Sequence, residues 1–122
     1  MLTIERIEVP LSVCKVKDYA LVDLDAPFTF TGRTDGECSL VCPTDQAPGN
    51  ATAREDGWRA FRIAGTLDFS LVGILAPIAT LLAEAEIGIF AVSTFDTDYV
   101  LVKEADYERT LSLLAGAGYE VV

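Results

Sequence analysis

Leu71, Ile74, Leu75, Ile78, Leu81, Leu82 and Ala85 fall at i, i+3, i+4, i+7, i+10, i+11 and i+14, the spacing of one continuous apolar stripe on an α-helix. What flanks this stripe limits the fold more than any other feature of the chain. Trp58–Ala64 is rich in aromatic and β-forming residues and follows the polar stretch Ala47–Gly57, so it begins a strand. After the stripe, Ile87–Ser93 is apolar on both parities, as expected of a strand covered on both faces. Thr94–Thr97 reads as a hairpin turn, and Asp98–Lys103 alternates into a second strand. Glu104 and Asp106 place negative charge in the first turn of a helix whose apolar face is Tyr107, Leu111 and Leu114; Gly116 and Gly118 end it. Tyr119–Val122 is a last strand. The order over residues 57–122 is therefore βαββαβ, which predicts an α+β, ferredoxin-like domain: a four-stranded antiparallel sheet with both helices on one face. Ser70 is the expected N-cap of the first helix, and Pro77, placed past its first turn, is expected to kink it.

Residues 1–50 are poorer in helix and read as mostly β. Leu11–Val16, Phe28–Gly32 and Cys38–Cys42 are strand-like, and Asp35-Gly36 marks the turn between the last two. Ala47–Ala53 is turn-rich and is the candidate linker. Sliding the chain against itself by sixty-one residues sets Asp35 on Asp96, Leu40-Val41 on Leu101-Val102 and Asp45 on Asp106. The first half then reads as a reduced copy of the second that has lost its first helix, because Lys17–Asp25 holds nothing like the 71–85 stripe.

Composition narrows the function. The chain has 122 residues, nine Lys+Arg against nineteen Asp+Glu, and no histidine, for a net charge of −10. No nucleic-acid or membrane partner is expected, since phosphate surfaces need cationic neutralisation. Without histidine there is no Ser-His-Asp triad, no Cys-His pair and no imidazole metal site. A non-enzymatic binding module leads over a small enzyme using Asp or Cys chemistry, and neither a cofactor nor a metal is expected. The longest apolar run, Phe69–Ala83, is shorter than the roughly twenty residues that a membrane span needs. The N-terminal residues carry no basic segment followed by an apolar one, so a cytoplasmic location is expected. Cys38 and Cys42, four apart on a strand, lie roughly 13 Å from each other, too far to bridge. With Cys14 they are expected to be reduced and mostly buried.

The run Val72-Gly73-Ile74-Leu75-Ala76-Pro77-Ile78, then Glu86-Ile87-Gly88-Ile89 and the hairpin Phe90–Val102, resembles the ACT domain, a ligand-responsive regulatory fold. The Ser93-Thr94-Phe95-Asp96-Thr97-Asp98 hairpin is the most specific part. It is similar to that of small stand-alone bacterial ACT proteins and of the ACT domains of cytosolic arginine sensors in eukaryotic nutrient signalling. Leu11–Val16 and Glu37–Pro43 resemble the paired N-terminal portion of the same small proteins. The resemblance implies a reduced ACT-like half over residues 1–50 and an ACT domain over 57–122. It also implies a homodimer formed through sheet edges and a regulatory or sensor role, in which a free amino acid binds at an interface between ACT domains. The alternative is a ligand-free interaction or structural module that pairs with another protein.

Carried onto this chain, the resemblance places the ligand between the first strand-to-helix loop, Leu67, Asp68, Phe69, Ser70, Leu71, Val72 and Gly73, and the hairpin residues Ser93, Thr94, Phe95, Asp96, Thr97 and Asp98. The chemistry suits a zwitterion. The first helix offers unpaired backbone N–H groups to a carboxylate, and Gly73 permits close backbone approach. Asp68, Asp96 and Asp98 offer charge-assisted acceptors to an ammonium, with the Ser93, Thr94 and Thr97 hydroxyls beside them. Three carboxylates favour a cationic or neutral amino acid over an acidic one. Each residue also has a plainer reading. Ser70 can be only a helix cap, Gly73 a packing contact, Asp96 and Asp98 ordinary turn residues, and Phe95 and Tyr99 packing residues. Trp58, beside Arg59 and Arg62, reads as a strand-face anchor or an interface residue.

Overall fold

The computed structural model describes residues 2–64 and 73–122. They divide into two compact units, one made of the described residues up to Glu8 together with Arg59–Val122, the other of Val9–Trp58. Two long strands, β1 (Thr3–Val16) and β4 (Ala51–Ile63), run from one unit into the other.

The unit that contains the C-terminus adds β5 (Phe90–Ser93), β6 (Asp98–Lys103), β7 (Glu120–Val121), α1 (Leu75–Glu84) and α2 (Tyr107–Gly116). Its strand order is β7-β1-β4-β6-β5. The expected βαββαβ order and ferredoxin-like α+β fold are present, with one addition. The start of β1 lies between β7 and β4, pairing in parallel with β7 through Thr3 opposite Glu120 and Ile4 opposite Val121. Among the described residues the sheet of this unit therefore has five strands, against the four expected from the sequence pattern. Its core is formed by Ile4, Phe61 and Ile63 from β1 and β4, Val100 and Val102 from β6, Ile78 and Leu82 from α1, and Tyr107, Leu111 and Leu114 from α2. On α2 the buried residues Tyr107, Thr110, Leu111 and Leu114 recur at i, i+3, i+4 and i+7, the amphipathic spacing read from the sequence.

Both helices end in the same hydrogen-bond pattern. In α2, Tyr119 N–H reaches the Leu114 carbonyl and Gly118 N–H the Ala115 carbonyl, each at 3.1 Å, with Gly118 at φ +102°. In α1, Ile87 N–H reaches Leu82 at 2.9 Å and Glu86 N–H reaches Ala83 at 3.0 Å. There Glu86, at φ +60°, occupies the left-handed position that glycine fills with least strain.

The start of α1 differs from expectation. Among the described residues it begins at Leu75, behind an N-cap at Ile74 that makes no side-chain capping bond. Pro77 is therefore the third helical residue, where its missing N–H has no partner four residues back in the helix, and it needs no kink. Ser70, the expected cap, lies outside the described residues. β5 begins at Phe90 rather than Ile87, because Glu86–Ile87 still closes the end of α1.

The second unit adds β2 (Phe30–Arg33) and β3 (Cys38–Pro43) in the order β2-β3-β1-β4. β3 pairs antiparallel with β1 from Leu11 opposite Pro43 to Val16 opposite Cys38. β2 starts two residues later than expected, since Phe28 has φ +62° and cannot belong to a regular strand. Among the described residues of this unit the helical element is a 3₁₀ turn at Thr44–Gln46. The candidate linker is folded structure: Ala51 N–H bonds the Pro48 carbonyl at 3.3 Å, and β4 starts at Ala51. A small core of Cys14, Val16, Leu40 and Cys42 is covered by Tyr19 and Val22, and the Tyr19 hydroxyl donates to the Ser39 carbonyl at 2.8 Å. All three cysteines are free, Cys14 and Cys42 buried and Cys38 half-buried. Among the described residues no helix is long and apolar enough to cross a membrane.

Candidate functional site

The β5–β6 turn is built by its own short polar residues. Thr94 N–H bonds the Thr97 carbonyl at 2.8 Å, and the Thr94 hydroxyl donates to the same carbonyl at 3.0 Å. At the mouth of the hairpin Ser93 pairs with Asp98, and the Ser93 hydroxyl donates to Asp98 Oδ1 at 2.6 Å. Thr97 turns inward. Only 8% exposed, it donates through Oγ1 to the Ile63 carbonyl at 2.8 Å, which pins the turn to the end of β4.

Alternation along the strands then decides what stands beside the turn. Ile4, Phe61, Ile63 and Val100 point into the core, so their strand neighbours Glu5, Arg62 and Tyr99 emerge on the opposite face. Arg62 Nε donates to Glu5 Oε1 at 3.2 Å, and Nη1 donates to the Tyr99 hydroxyl oxygen at 3.0 Å. The guanidinium carbon lies 5.8 Å from the Tyr99 ring centroid. The Tyr99 hydroxyl first, and Glu5 second, hold the Arg62 pKa above its ordinary value. Glu5, Arg62, Ile63, Thr94, Asp96, Thr97 and Tyr99 together line a cleft of about 260 Å³. One guanidinium and two carboxylates face one small space, offering donors and acceptors of opposite charge.

Of the thirteen residues expected at the site, Thr94, Asp96 and Thr97 line this cleft. Ser93 and Asp98 satisfy each other across the hairpin. Phe95 stands at the tip, 78% exposed. Leu67, Asp68, Phe69, Ser70, Leu71 and Val72 lie outside the described residues. Gly73, at φ +73° with open space where a Cβ would stand, lines a different cleft of about 630 Å³ with Ala76, Pro77, Thr80, Leu81, Glu84, Ala117 and Tyr119. Its conformation, and not a close contact, explains the glycine. Glu5, Arg62 and Tyr99 were missed as site residues. The available signal was Arg62 set between Phe61 and Ile63, an outward cation on a strand whose neighbours are buried.

The second cation of β4 is used in structure. Arg59 sits 4.4 Å from the Tyr107 ring centroid and bonds Glu104 at 3.3 Å and Glu8 at 3.3 Å. Tyr107 donates to the Ala60 carbonyl at 2.7 Å, and burial pushes its pKa up. In the other unit, burial first and the neighbouring Cys14 second push the Cys42 thiol up to about 11. A thiol held protonated in this way is a poor nucleophile near neutral pH. Among the described residues no group of three or more Cys, Asp or Glu side chains is placed to hold a metal ion.

Two helices on a sheet in βαββαβ order, with a polar cleft beside the edge hairpin β5–β6, define an α+β, ferredoxin-like class of domain. Residues 53–116 match the ACT domain family, and the chain belongs to it. Among solved structures it is similar to a protein from Agrobacterium tumefaciens, at 32% identity and a TM-score of 0.87, over 99% of this chain and 92% of that one. It is also similar to a protein of unknown function from Vibrio cholerae, at 20% identity and a TM-score of 0.71, over 94% of this chain and 88% of that one. The aspartate kinase of Clostridium acetobutylicum, an allosteric enzyme, matches at 15% identity and a TM-score of 0.66; the match takes in 95% of this chain and 33% of the kinase. The last two likenesses carry the fold alone. No curated protein matches the chain.

Proposed function

We propose that this chain is a non-catalytic regulatory or sensor protein that binds a free amino acid at the β5–β6 turn and acts as a cytoplasmic homodimer, with the ligand at an interface between ACT domains. The observation that carries this reading is the cleft lined by Arg62, Asp96 and Glu5, which offers a guanidinium to a carboxylate and carboxylates to an ammonium. Membership of the ACT domain family supports a regulatory role. Asp68, Phe69, Ser70, Leu71, Val72 and Gly73 are proposed to approach the ligand from the partner side, with Ser93, Thr94, Phe95, Asp96, Thr97 and Asp98 on the hairpin side. A cationic or neutral amino acid is favoured, because the cleft carries two carboxylates against one guanidinium. Residues 1–50 are read as a reduced ACT-like half beside the ACT domain of 57–122.

The ligand-free interaction module remains the second reading, favoured by the fact that Arg62 already has partners in Glu5 and Tyr99. Thermal melts with each of the common amino acids at millimolar concentration separate the two. A ligand that binds the folded state raises the melting temperature with concentration, whereas the module melts at one temperature in all of them.

A further inference from the structure

Resting on that reading, we infer that Glu5 is an internal stand-in for the ligand: its carboxylate occupies the guanidinium of Arg62 when the cleft is empty and is displaced by the α-carboxylate of the amino acid, whose ammonium is taken by Asp96. The geometry has the parts such an exchange needs. Arg62 and Glu5 are partly open to solvent, their side chains 33% and 37% exposed, so the pair is screened and held by little free energy. A single Nε bond at 3.2 Å ties Glu5 to the guanidinium, a monodentate arrangement that uses one of five donors. A ligand carboxylate able to bond in the two-pronged way competes well against it.

The rest of the site keeps Arg62 in place during the exchange. Its Nη1 remains on the Tyr99 hydroxyl oxygen, and β4 on either side of it is anchored by the buried Phe61 and Ile63. At the same cleft, Asp96 sits in a turn closed by Thr94 and pinned to Ile63 by Thr97. The acceptor for the ammonium is thus held at a fixed place relative to the donor for the carboxylate. Recognition then demands both charges on one small molecule. Displacement of Glu5, which belongs to β1, also gives the bound and empty states a difference within the sheet itself.

Calorimetric titration of the intact chain with each common amino acid, in the wild type, Glu5→Gln, Arg62→Gln and Asp96→Asn, tests this. Glu5→Gln removes the competitor and is expected to tighten binding roughly threefold, an effect that a merely structural role for Glu5 would not give. Arg62→Gln and Asp96→Asn are each expected to weaken it by roughly tenfold or more. Heat from Glu5→Gln alone, with a silent wild type, also supports the exchange. If the wild type binds an amino acid and Glu5→Gln binds it no better, the stand-in is wrong while the sensor reading stands. If neither the wild type nor Glu5→Gln responds to any amino acid, both fail. Glu5→Gln leaves Arg62 intact, so the test survives a misfolded Arg62→Gln.

Discussion

The two hairpins of the chain keep the same register sixty residues apart but are covered in different ways. Phe30 pairs with Val41 and Arg33 with Cys38; Phe90 pairs with Leu101 and Ser93 with Asp98. Both turns close from a threonine, Thr34 to Glu37 at 2.9 Å and Thr94 to Thr97 at 2.8 Å. Both hairpins also run into a 3₁₀ turn, Thr44–Gln46 in one case and Glu104–Asp106 in the other. After that they diverge. The second continues into α2 and a core of large aliphatic and aromatic side chains. The first returns directly to β4, and its core of Cys14, Val16, Leu40 and Cys42 lies under a loop held by Tyr19. Pairing and turn geometry are local properties that survive either roof, whereas the depth of the core depends on which roof is present. The polar cleft stands at the hairpin with the deeper core, where packing fixes its strands most firmly.

The largest break in this comparison comes from emptying each core. Phe61, fully buried, is expected to cost about 3–5 kcal/mol as Phe61→Ala, while Leu40→Ala, beneath a loop able to settle into the gap, costs about 2 kcal/mol. Urea denaturation of both variants measures the difference, and equal losses would contradict it. Next is pH. The Cys42 thiol is raised from 9.0 to about 11, so the folded state holds a proton that the unfolded chain releases. Stability is fully present below pH 9 and falls by on the order of 2 kcal/mol as pH passes about 11. Cys42→Ala is expected to flatten much of that decline in alkaline melts, leaving what Cys14 and Tyr107, both also raised, contribute.

A smaller effect sharpens the role of the loop. Tyr19→Phe removes the bond to the Ser39 carbonyl and is expected to cost about 1 kcal/mol, with faster amide exchange across β3 and little change in β6. The smallest concerns the matched helix ends. Gly118→Ala, at φ +102°, is expected to destabilise by about 1 kcal/mol, whereas Glu86→Gly, at φ +60°, is expected to stabilise by a few tenths. Paired thermal melts check the opposite signs.

What the sequence made legible follows the range of each interaction. β6, α2 and the Thr94–Thr97 turn match their expected places because alternation, helical spacing and turn chemistry are local signals. The start of β1 was not legible. Ile4 and Ile7 are both buried but are three apart, which breaks strict alternation, and the partner β7 lies at the other end of the chain. The internal comparison was displaced by one residue. The sixty-one-residue offset gathers more identities across the hairpins than sixty does, yet the strands match at sixty, where Leu40 corresponds to Val100. Since a slip of one turns a strand over, the identity-based alignment set Leu40 on Leu101, whereas Val100 and Val102 are the β6 residues that line the core under the helices. Three of the seven cleft residues were readable for the same reason: Thr94, Asp96 and Thr97 lie in one turn, while Glu5 and Arg62 reach it from two other strands.

The most direct test of a zwitterion-binding cleft is a chemical-shift titration of the isotope-labelled chain with individual amino acids. Saturable shifts centred on the amides of Glu5, Arg62 and Thr94–Thr97, produced by at least one neutral or cationic amino acid and lost when its carboxylate is amidated, are the expected result. Shifts confined to other parts of the chain, or none with any amino acid, would contradict the account.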